Sequence, residues 1–402
     1  MTDLWYRGLH RFCTWVYFAR VTVIYPERLP AAGPVLYLGL HRNGAMDGFV
    51  YHSLLPRARF LISTQLRRNP LGRVFFCGIE IVRNKDEGDR SVNAAALQEC
   101  VDHLKGGGGL FVFPEGTSSL GPKHLPFRSG AAQLVLDYLA GCGAPIQVVP
   151  IGIHYECPWG FRSKVEVVVG APVSVSALSA ASPIGRLKEV KRRMQAGLES
   201  VGVNVESAGY QQTIQRLSYV ATLATPRSYF KTLQALEHSI PEKVLAAWQA
   251  LEPELAKREM LRHQGVPLFP LRPVGRYALA LAGLAPVVGA ALLLNLPPFL
   301  AGGWAGNTFP DDRNVISLWR TLVGIPLVIL WTLLLAVLAV ALGQLPWFGI
   351  HCLVTLAGLK LYYPVKRLAV AVHNGLRHSD LRSPMLAFRE LVLEELPDEP
   401  SC

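Results

Sequence analysis

Two long lengths of the chain carry no charge. Residues 277–310 and 321–359 contain no Asp, Glu, Lys or Arg, and a bilayer core needs only ~20 apolar residues per spanning helix. The second length is enough for two passes divided at Gly343-Gln344-Leu345-Pro346. It predicts a hairpin over about 321–343 and 346–363, with a short second arm. The first length is broken by Asn295, Pro297 and Pro298, which predicts an interrupted segment over about 277–302 that dips in and returns. Arg272 and Arg276 precede the first length, Arg313 and Arg320 lie between the two, and Lys366 and Arg367 follow. With that arrangement all six cations face one side, as the positive-inside rule favours.

Upstream the periodicity changes. Short apolar runs at 35–40, 59–64, 79–83, 110–113, 146–150 and 164–169 read as strands. Helical patterns at 45–55, 91–104, 129–139 and 183–198 alternate with them. Apolar strands alternating with helices predict an α/β domain, with a mostly parallel sheet covered by helices on both faces. At the start of the chain, Trp5, Leu9, Phe12, Val16 and Phe18 gather apolar mass while Arg7, Arg11 and Arg20 supply charge. This predicts an amphipathic helix, either packed on its own domain or lying in a membrane interface. Residues 204–265 look helical, and Gln264-Gly265-Val266-Pro267-Leu268-Phe269-Pro270 reads as a linker. The expected organisation is an amphipathic helix over 1–30, an α/β domain over 31–203, a helical segment and linker over 204–275, a membrane region over 276–367 and a tail over 368–402.

Composition sharpens this picture. Half of the 402 residues are hydrophobic and 17% are charged, against ~25% charged in an ordinary soluble domain. Forty basic residues face 29 acidic ones, a net charge of +11. A basic and apolar chain suits an anionic membrane surface or an acidic substrate rather than nucleic acid. The seven cysteines are scattered and form no CxxC, so neither a disulfide framework nor a metal cluster is indicated. The N-terminal stretch lacks a small-residue cleavage site after its apolar part, so no signal peptide is expected.

In open α/β sheets, ligands sit beyond the carboxyl ends of the strands. The first predicted strand runs into His41-Arg42-Asn43-Gly44-Ala45-Met46-Asp47. A His with a carboxylate six positions on makes a base and an orienter: the Asp holds one ring nitrogen and the other is left to take a proton. The third strand ends at Arg83, a candidate phosphate cation. The fourth runs into Phe113-Pro114-Glu115-Gly116-Thr117-Ser118, where Pro ends the strand and Gly116 permits a close turn. The fifth ends at Val149-Pro150. The glycine run after Lys105 lacks the Lys-Ser/Thr of a phosphate loop and precedes a strand, so it reads as a helix cap.

Taken in order, these strand endings resemble the glycerolipid acyltransferases, which include the glycerol-3-phosphate and 1-acylglycerol-3-phosphate acyltransferases. The family's His-to-Asp motif looks like residues 41–47 and its Gly…Arg block like 78–83. Its Phe-Pro-Glu-Gly-Thr block matches 113–117 letter for letter, and its Val-Pro block looks like 149–150. The resemblance covers about residues 10–200. Two departures place the chain near a branch with C-terminal membrane segments. Five residues rather than four separate His41 from Asp47, and Ser118 stands where most members have Arg. Leu125-Pro126-Phe127-Arg128-Ser129-Gly130 resembles the Leu-Pro-Leu-Lys-x-Gly run of that branch.

The resemblance implies His41 and Asp47 as catalytic residues, and Arg83, Glu115, Gly116, Thr117 and Arg128 as substrate-binding residues. It implies no metal and no cofactor beyond acyl-CoA or acyl-carrier protein as co-substrate. The implied acceptor is a glycerol phosphate or a lysophospholipid. It further implies an integral membrane protein in contact with membrane lipids, its catalytic domain on the cytoplasmic side. Remodelling of another lysolipid, such as an amino-acid lipid, is the nearest alternative. A thioester hydrolase using Ser118 or Ser119 and a non-catalytic scaffold are more distant. Past residue 275 there is no acid–base pair, so that region is expected to anchor the protein without contributing to the chemistry.

Overall fold

The computed structural model describes residues 3–83, 86, 89, 91–142 and 144–396. Residues 1–2 and the last residues of the predicted tail, including Cys402, lie outside them. The chain forms two compact units. One comprises Met1–Trp159, Val165–Asn204 and Pro310–Leu318, the other Gly160–Lys164, Val205–Phe309 and Trp319–Cys402.

The first unit is the α/β domain. It opens with α1 (Asp3–Tyr17), β1 (Arg20–Ile24), β2 (Val35–Gly39), α2 (Ala45–Leu54), β3 (Ala58–Ser63), α3 (Pro70–Phe75) and β4 (Ile79–Ile81). It continues with α4 (Val92–Lys105), β5 (Gly109–Val112), α5 (Gly130–Cys142), β6 (Gln147–Tyr155), β7 (Lys164–Val169) and α6 (Pro183–Glu199). The seven strands make one sheet in the order β1-β7-β6-β2-β5-β3-β4. β2 pairs in parallel with β5 and β6, and β3 in parallel with β4 and β5. β6 pairs antiparallel with β7.

β2 lies at the centre and all five of its residues are buried, which is why it reads as an unbroken apolar run. Its last residue must be glycine: a Cβ on Gly39 would sit 2.2 Å from the Phe111 ring. Leu36, Leu38, Leu110 and Val148 meet Leu104, Leu134, Val135 and Leu198 of the covering helices in one core. Full burial of each such side chain contributes about 1.5–3 kcal/mol. The glycines after Lys105 cap α4, with Gly107 left-handed at φ 77°.

The predicted 1–30 helix is corrected. It ends at Tyr17, and Arg20–Ile24 is an edge strand, because Val21, Thr22, Val23 and Ile24 are β-branched and suit a pleat better than a helix. α1 buries Tyr6, Leu9, His10, Cys13 and Tyr17. Its other side shows Leu4, Trp5, Phe12 and Trp15, between 37% and 77% exposed. β6 also outruns its predicted end, passing Pro150 to reach Tyr155.

The second unit is helical. It holds α7 (Ala208–Ala221), α8 (Tyr229–Ala235), α9 (Glu242–Ala256), α10 (Val274–Leu294), α11 (Leu296–Thr308), most of α12 (Ile316–Ala341), α13 (Leu345–Arg377) and α14 (Arg382–Glu395). Among the described residues three helical stretches are long and apolar enough to cross a membrane: Val274–Leu294, Arg313–Ala341 and Leu345–Arg377. The interruption falls where the sequence placed it. The chain breaks at Asn295, whose amide donates to Ala291 O and Thr355 Oγ1, and Pro297 opens the short α11.

The second hairpin arm is corrected from short to long. α13 runs on through Pro364 to Arg377, and α14 fills most of the remainder of the predicted tail. Small residues let the spans approach, as they do where lipid gives helices no hydrophobic drive to associate. A Cβ on Gly358 of α13 would meet the Ala291 Cβ of α10 at 2.1 Å. Gly358→Ala should therefore cost about 1–3 kcal/mol as an overpacked contact. The expected result is a lower thermal midpoint for the detergent-purified protein, and an unchanged midpoint would contradict this close approach.

Candidate active site

His41 leaves the carboxyl end of β2, Glu115 that of β5 and Arg83 that of β4. Asp47 stands in the first turn of α2 and is fully buried. Its carboxylate is the hub of the site. Oδ2 accepts from His41 Nδ1 at 2.9 Å, from Arg42 N at 2.6 Å and from Asn43 N at 2.8 Å, and Oδ1 accepts from Tyr155 OH at 2.5 Å. The two backbone donors exist because Gly44 turns the chain at φ 51° and aims successive N–H groups back at the helix start. The predicted base-and-orienter pair is thus brought together. Nδ1 of His41 is bound and its ring lies on Phe113, with centroids 4.0 Å apart.

Glu115 is buried, and its oxygens accept from His41 N and Leu125 N at 3.4 Å each. Burial raises its carboxyl above the usual range, while the nearby Arg42 pulls it down. In this structure Glu115 holds two loops in place. Arg42 completes that tie, donating to Ser119 O at 3.1 Å and Gly121 O at 3.3 Å, while Ser119 N donates to His41 O. Burial lowers the Arg42 guanidinium from its ordinary value and raises the Tyr155 hydroxyl well above its own, the adjacent Asp47 adding to that. Burial pushes His124 down to about 3 and His154 to about 4. Both are therefore neutral near pH 7 and add no cation to the crevice.

Gly116 takes a left-handed turn at φ 72°, and two guanidiniums converge on it. Arg83 donates to Gly116 O at 3.3 Å and is paired with Asp86 at 2.9 Å. Burial alone would raise the Asp86 carboxyl, but hydrogen bonds from Arg83 and Ser63 hold it below the usual range. Arg128 lies over the Gly116 α-carbon, with Nε 2.7 Å from where a Cβ would stand. The Arg128 side chain is exposed, and no partner for it is found among the described residues. Thr117 follows Gly116, half-buried. Among the described residues no group of three or more His, Cys, Asp or Glu could hold a metal ion.

Sequence reasoning passed over four groups that complete the site: Arg42, Asn43, Tyr155, and the pair Asn314 and Ser317. Arg42 and Asn43 lie inside the His-to-Asp motif, and their types were the available signal. Tyr155 sits beyond the predicted end of its strand. Asn314 and Ser317 come from the region expected to serve only as an anchor. Within that region, Pro310–Leu318 packs in the first unit, beside the His41–Asp47 loop. Ser317 Oγ lies 2.7 Å from Asn43 Oδ1, and Asn314 Nδ2 donates to Ser118 O and Oγ at 3.1 Å each.

Residues 20–154 match the family model described as Acyltransferase. The chain is 36% identical over 84 residues to glycerol-3-phosphate O-acyltransferase 2 of Saccharomyces cerevisiae, 21% of this chain and 11% of that one. It is 32% identical over 136 residues to a 1-acyl-sn-glycerol-3-phosphate acyltransferase of Chlamydomonas reinhardtii, 33% of this chain and 38% of that one. The chain thus spans well under half the length of either relative. Among solved structures it is similar to the 1-acyl-sn-glycerophosphate (LPA) acyltransferase PlsC from Thermotoga maritima. That likeness has 23% identity and a TM-score of 0.36, and covers 48% of this chain and 77% of that one. The motif-based resemblance is borne out: residues 20–154 match an Acyltransferase domain, and the similar proteins are named as glycerol-3-phosphate and 1-acyl-sn-glycerol-3-phosphate acyltransferases.

Tyr155→Phe removes the phenol from Asp47 Oδ1 and leaves a buried lone pair. A hydrogen bond to a charged group is worth about 1.5–3 kcal/mol, so thermal stability and acyl-transfer rate should both fall, the rate by roughly tenfold. A variant matching the wild type in both would show that Oδ1 does not need this donor.

Proposed function

We propose that this acyltransferase-domain protein transfers a fatty acyl group from acyl-CoA or acyl-carrier protein to a hydroxyl of glycerol-3-phosphate or 1-acylglycerol-3-phosphate. The reading is carried by one juxtaposition. A buried carboxylate holds Nδ1 of His41, and two guanidiniums meet at Gly116 on the neighbouring strand end.

The other ring nitrogen of His41 takes the proton of the acceptor hydroxyl. The oxygen then attacks the thioester carbonyl, the C–S bond breaks, and the proton passes from imidazolium to the departing thiolate. Asp47 stabilises the imidazolium and fixes its tautomer. Arg83 and Arg128 bind the acceptor phosphate, Arg being suited to bidentate contact. Thr117 and the Gly116 backbone line the same turn. A hydrolase reading is disfavoured because the partner of Ser118 Oγ is the Asn314 amide, which cannot act as a base.

The protein works at a membrane. Three apolar helices and the exposed Leu4, Trp5, Phe12 and Trp15 of α1 support lipid contact. Arg272, Arg276, Arg313, Arg320, Lys366 and Arg367 flank the apolar lengths, which favours a cytoplasmic catalytic domain. Alkaline carbonate should leave the full chain in the membrane pellet, and extraction would overturn integral insertion.

The test of chemistry uses purified full-length protein, labelled acyl-CoA and a panel of acceptors, with products read by mass spectrometry. His41→Ala should lower turnover by ~10²–10⁴-fold, the usual worth of a general base. A loss of less than tenfold would remove His41 from that role. Loss of a charge-assisted contact costs about 1.5–3 kcal/mol, so Arg128→Ala should cut kcat/KM roughly ten- to a hundredfold on phosphorylated acceptors only. Arg128→Lys should recover part of this. Equal rates with lysophosphatidate for Arg128→Ala and wild type would move phosphate recognition elsewhere.

A further inference from the structure

The peptide that leaves α11 and runs into the first turn of α12, Pro310–Leu318, sits in the first unit although the rest of both helices belongs to the other. Its docking points are specific. Asn314 and Ser317 are buried, at 6% and 0% exposure, and so is Asn43 at 0%. Ser317 Oγ donates to Asn43 Oδ1 at 2.7 Å. The other end of that amide donates to Pro158 O at 2.8 Å, so the Asn43 side chain is held at both ends. The backbone N–H of the same residue donates to Asp47 Oδ2, the oxygen that also holds His41 Nδ1.

Next to it, Gly44 has no room for a side chain. A Cβ there would stand 2.9 Å from Asn314 O and 3.1 Å from Val315 Cγ1. On the opposite lip, Asn314 Nδ2 binds Ser118 O and Oγ, and the neighbouring Ser119 N–H holds His41 O at 3.0 Å. The strap therefore touches both loops that carry the reacting groups: Asn43 is linked to His41 through Asp47, and Ser118 adjoins Ser119, which binds His41 O. Asp312 shapes it, its Oδ1 accepting from Arg313 N at 2.6 Å.

We infer that Pro310–Leu318 supplies positioning residues for acyl transfer: Ser317 acting through Asn43, and Asn314 acting through Ser118, fix the register of the His41–Asp47 loop. The inference rests on the reading of His41 as the base. It gives the connection between two apolar helices a role in the chemistry. A base must lie within hydrogen-bond reach of the proton it takes, and a displacement of ~1 Å can cost ~10²-fold in rate. Loosening the loop disturbs the transfer step more than it disturbs acceptor binding, so kcat should fall while KM holds.

The experiment is a double-mutant cycle on the full-length protein, with acyl-CoA and the acceptor that the wild type uses. Ser317→Ala should lower kcat by about tenfold and leave the acceptor KM within about twofold. If Ser317 acts through the Asn43 side chain, Ser317→Ala combined with Asn43→Ala should be no worse than Asn43→Ala alone, because coupled residues are not additive. Wild-type kcat in Ser317→Ala, or losses that multiply in the double variant, would overturn the inference. Should Ser317→Ala fail to fold, Asn314→Ala is read the same way: a kcat loss at constant KM supports the strap, and unchanged kcat removes it. His41→Ala is run alongside. An enzyme indifferent to His41 defeats the proposed function itself, whereas one that needs His41 but not Ser317 or Asn314 defeats only the strap.

Discussion

A carboxylate taken out of water is costly until its lone pairs find donors. Asp47 is fully buried, and the site is arranged around meeting that demand. Two of its donors are successive backbone N–H groups, which only a sharp turn at Gly44 can deliver. A third is the Tyr155 phenol at the end of the neighbouring strand, and the fourth is His41. Each partner fixes something else in return: the backbone pair sets the shape of the motif loop, Tyr155 ties the helix start to β6, and His41 is left with one tautomer. The five residues between His41 and Asp47 let the chain leave β2, turn at Gly44 and re-enter as α2 with the carboxylate facing back.

The same logic runs along the facing loop. Glu115 and Arg42 are both withdrawn from solvent, and the positive charge of one lies near the negative charge of the other. Removing either would leave an uncompensated charge in a poorly solvated place, which costs far more than the pair itself contributes. Gly116 then serves two ends. Its left-handed turn carries the chain away from β5, and its missing side chain lets Arg128 lie across it beside Arg83. A concentration of cations at a strand end, next to a histidine oriented by a carboxylate, suits an anionic acceptor whose hydroxyl must lose a proton.

The helical unit suits a different solvent, the bilayer proposed for it. Leu330, Leu333, Val337 and Val340 of α12 are all more than half exposed, which in water would be an aggregation hazard and in lipid is the lowest-energy face. Where these helices touch, glycine and alanine sit at the contact. The strap over Pro310–Leu318 is the exception: its Asn314 and Ser317 are buried and hydrogen-bonded to the loops of the candidate site.

The sequence by itself determined most of the elements and the residues that meet at the centre of the candidate site. Fully buried parallel strands must be continuous apolar runs, uncharged lengths can only be lipid-facing or deeply buried, and a motif confined to one loop carries its own geometry. Hence the sheet, the break at Asn295, the His41–Asp47 pair and the cations at Arg83 and Arg128 were legible from local pattern. Tertiary structure decided the rest. Tyr155 reaches Asp47 across 108 positions and Ser317 reaches Asn43 across 274, and no periodicity encodes such a contact. A lone Tyr or Ser looks the same in sequence whether it faces water or completes a buried network. Only packing, which sets how many donors a buried carboxylate or amide still lacks, gives those residues their part.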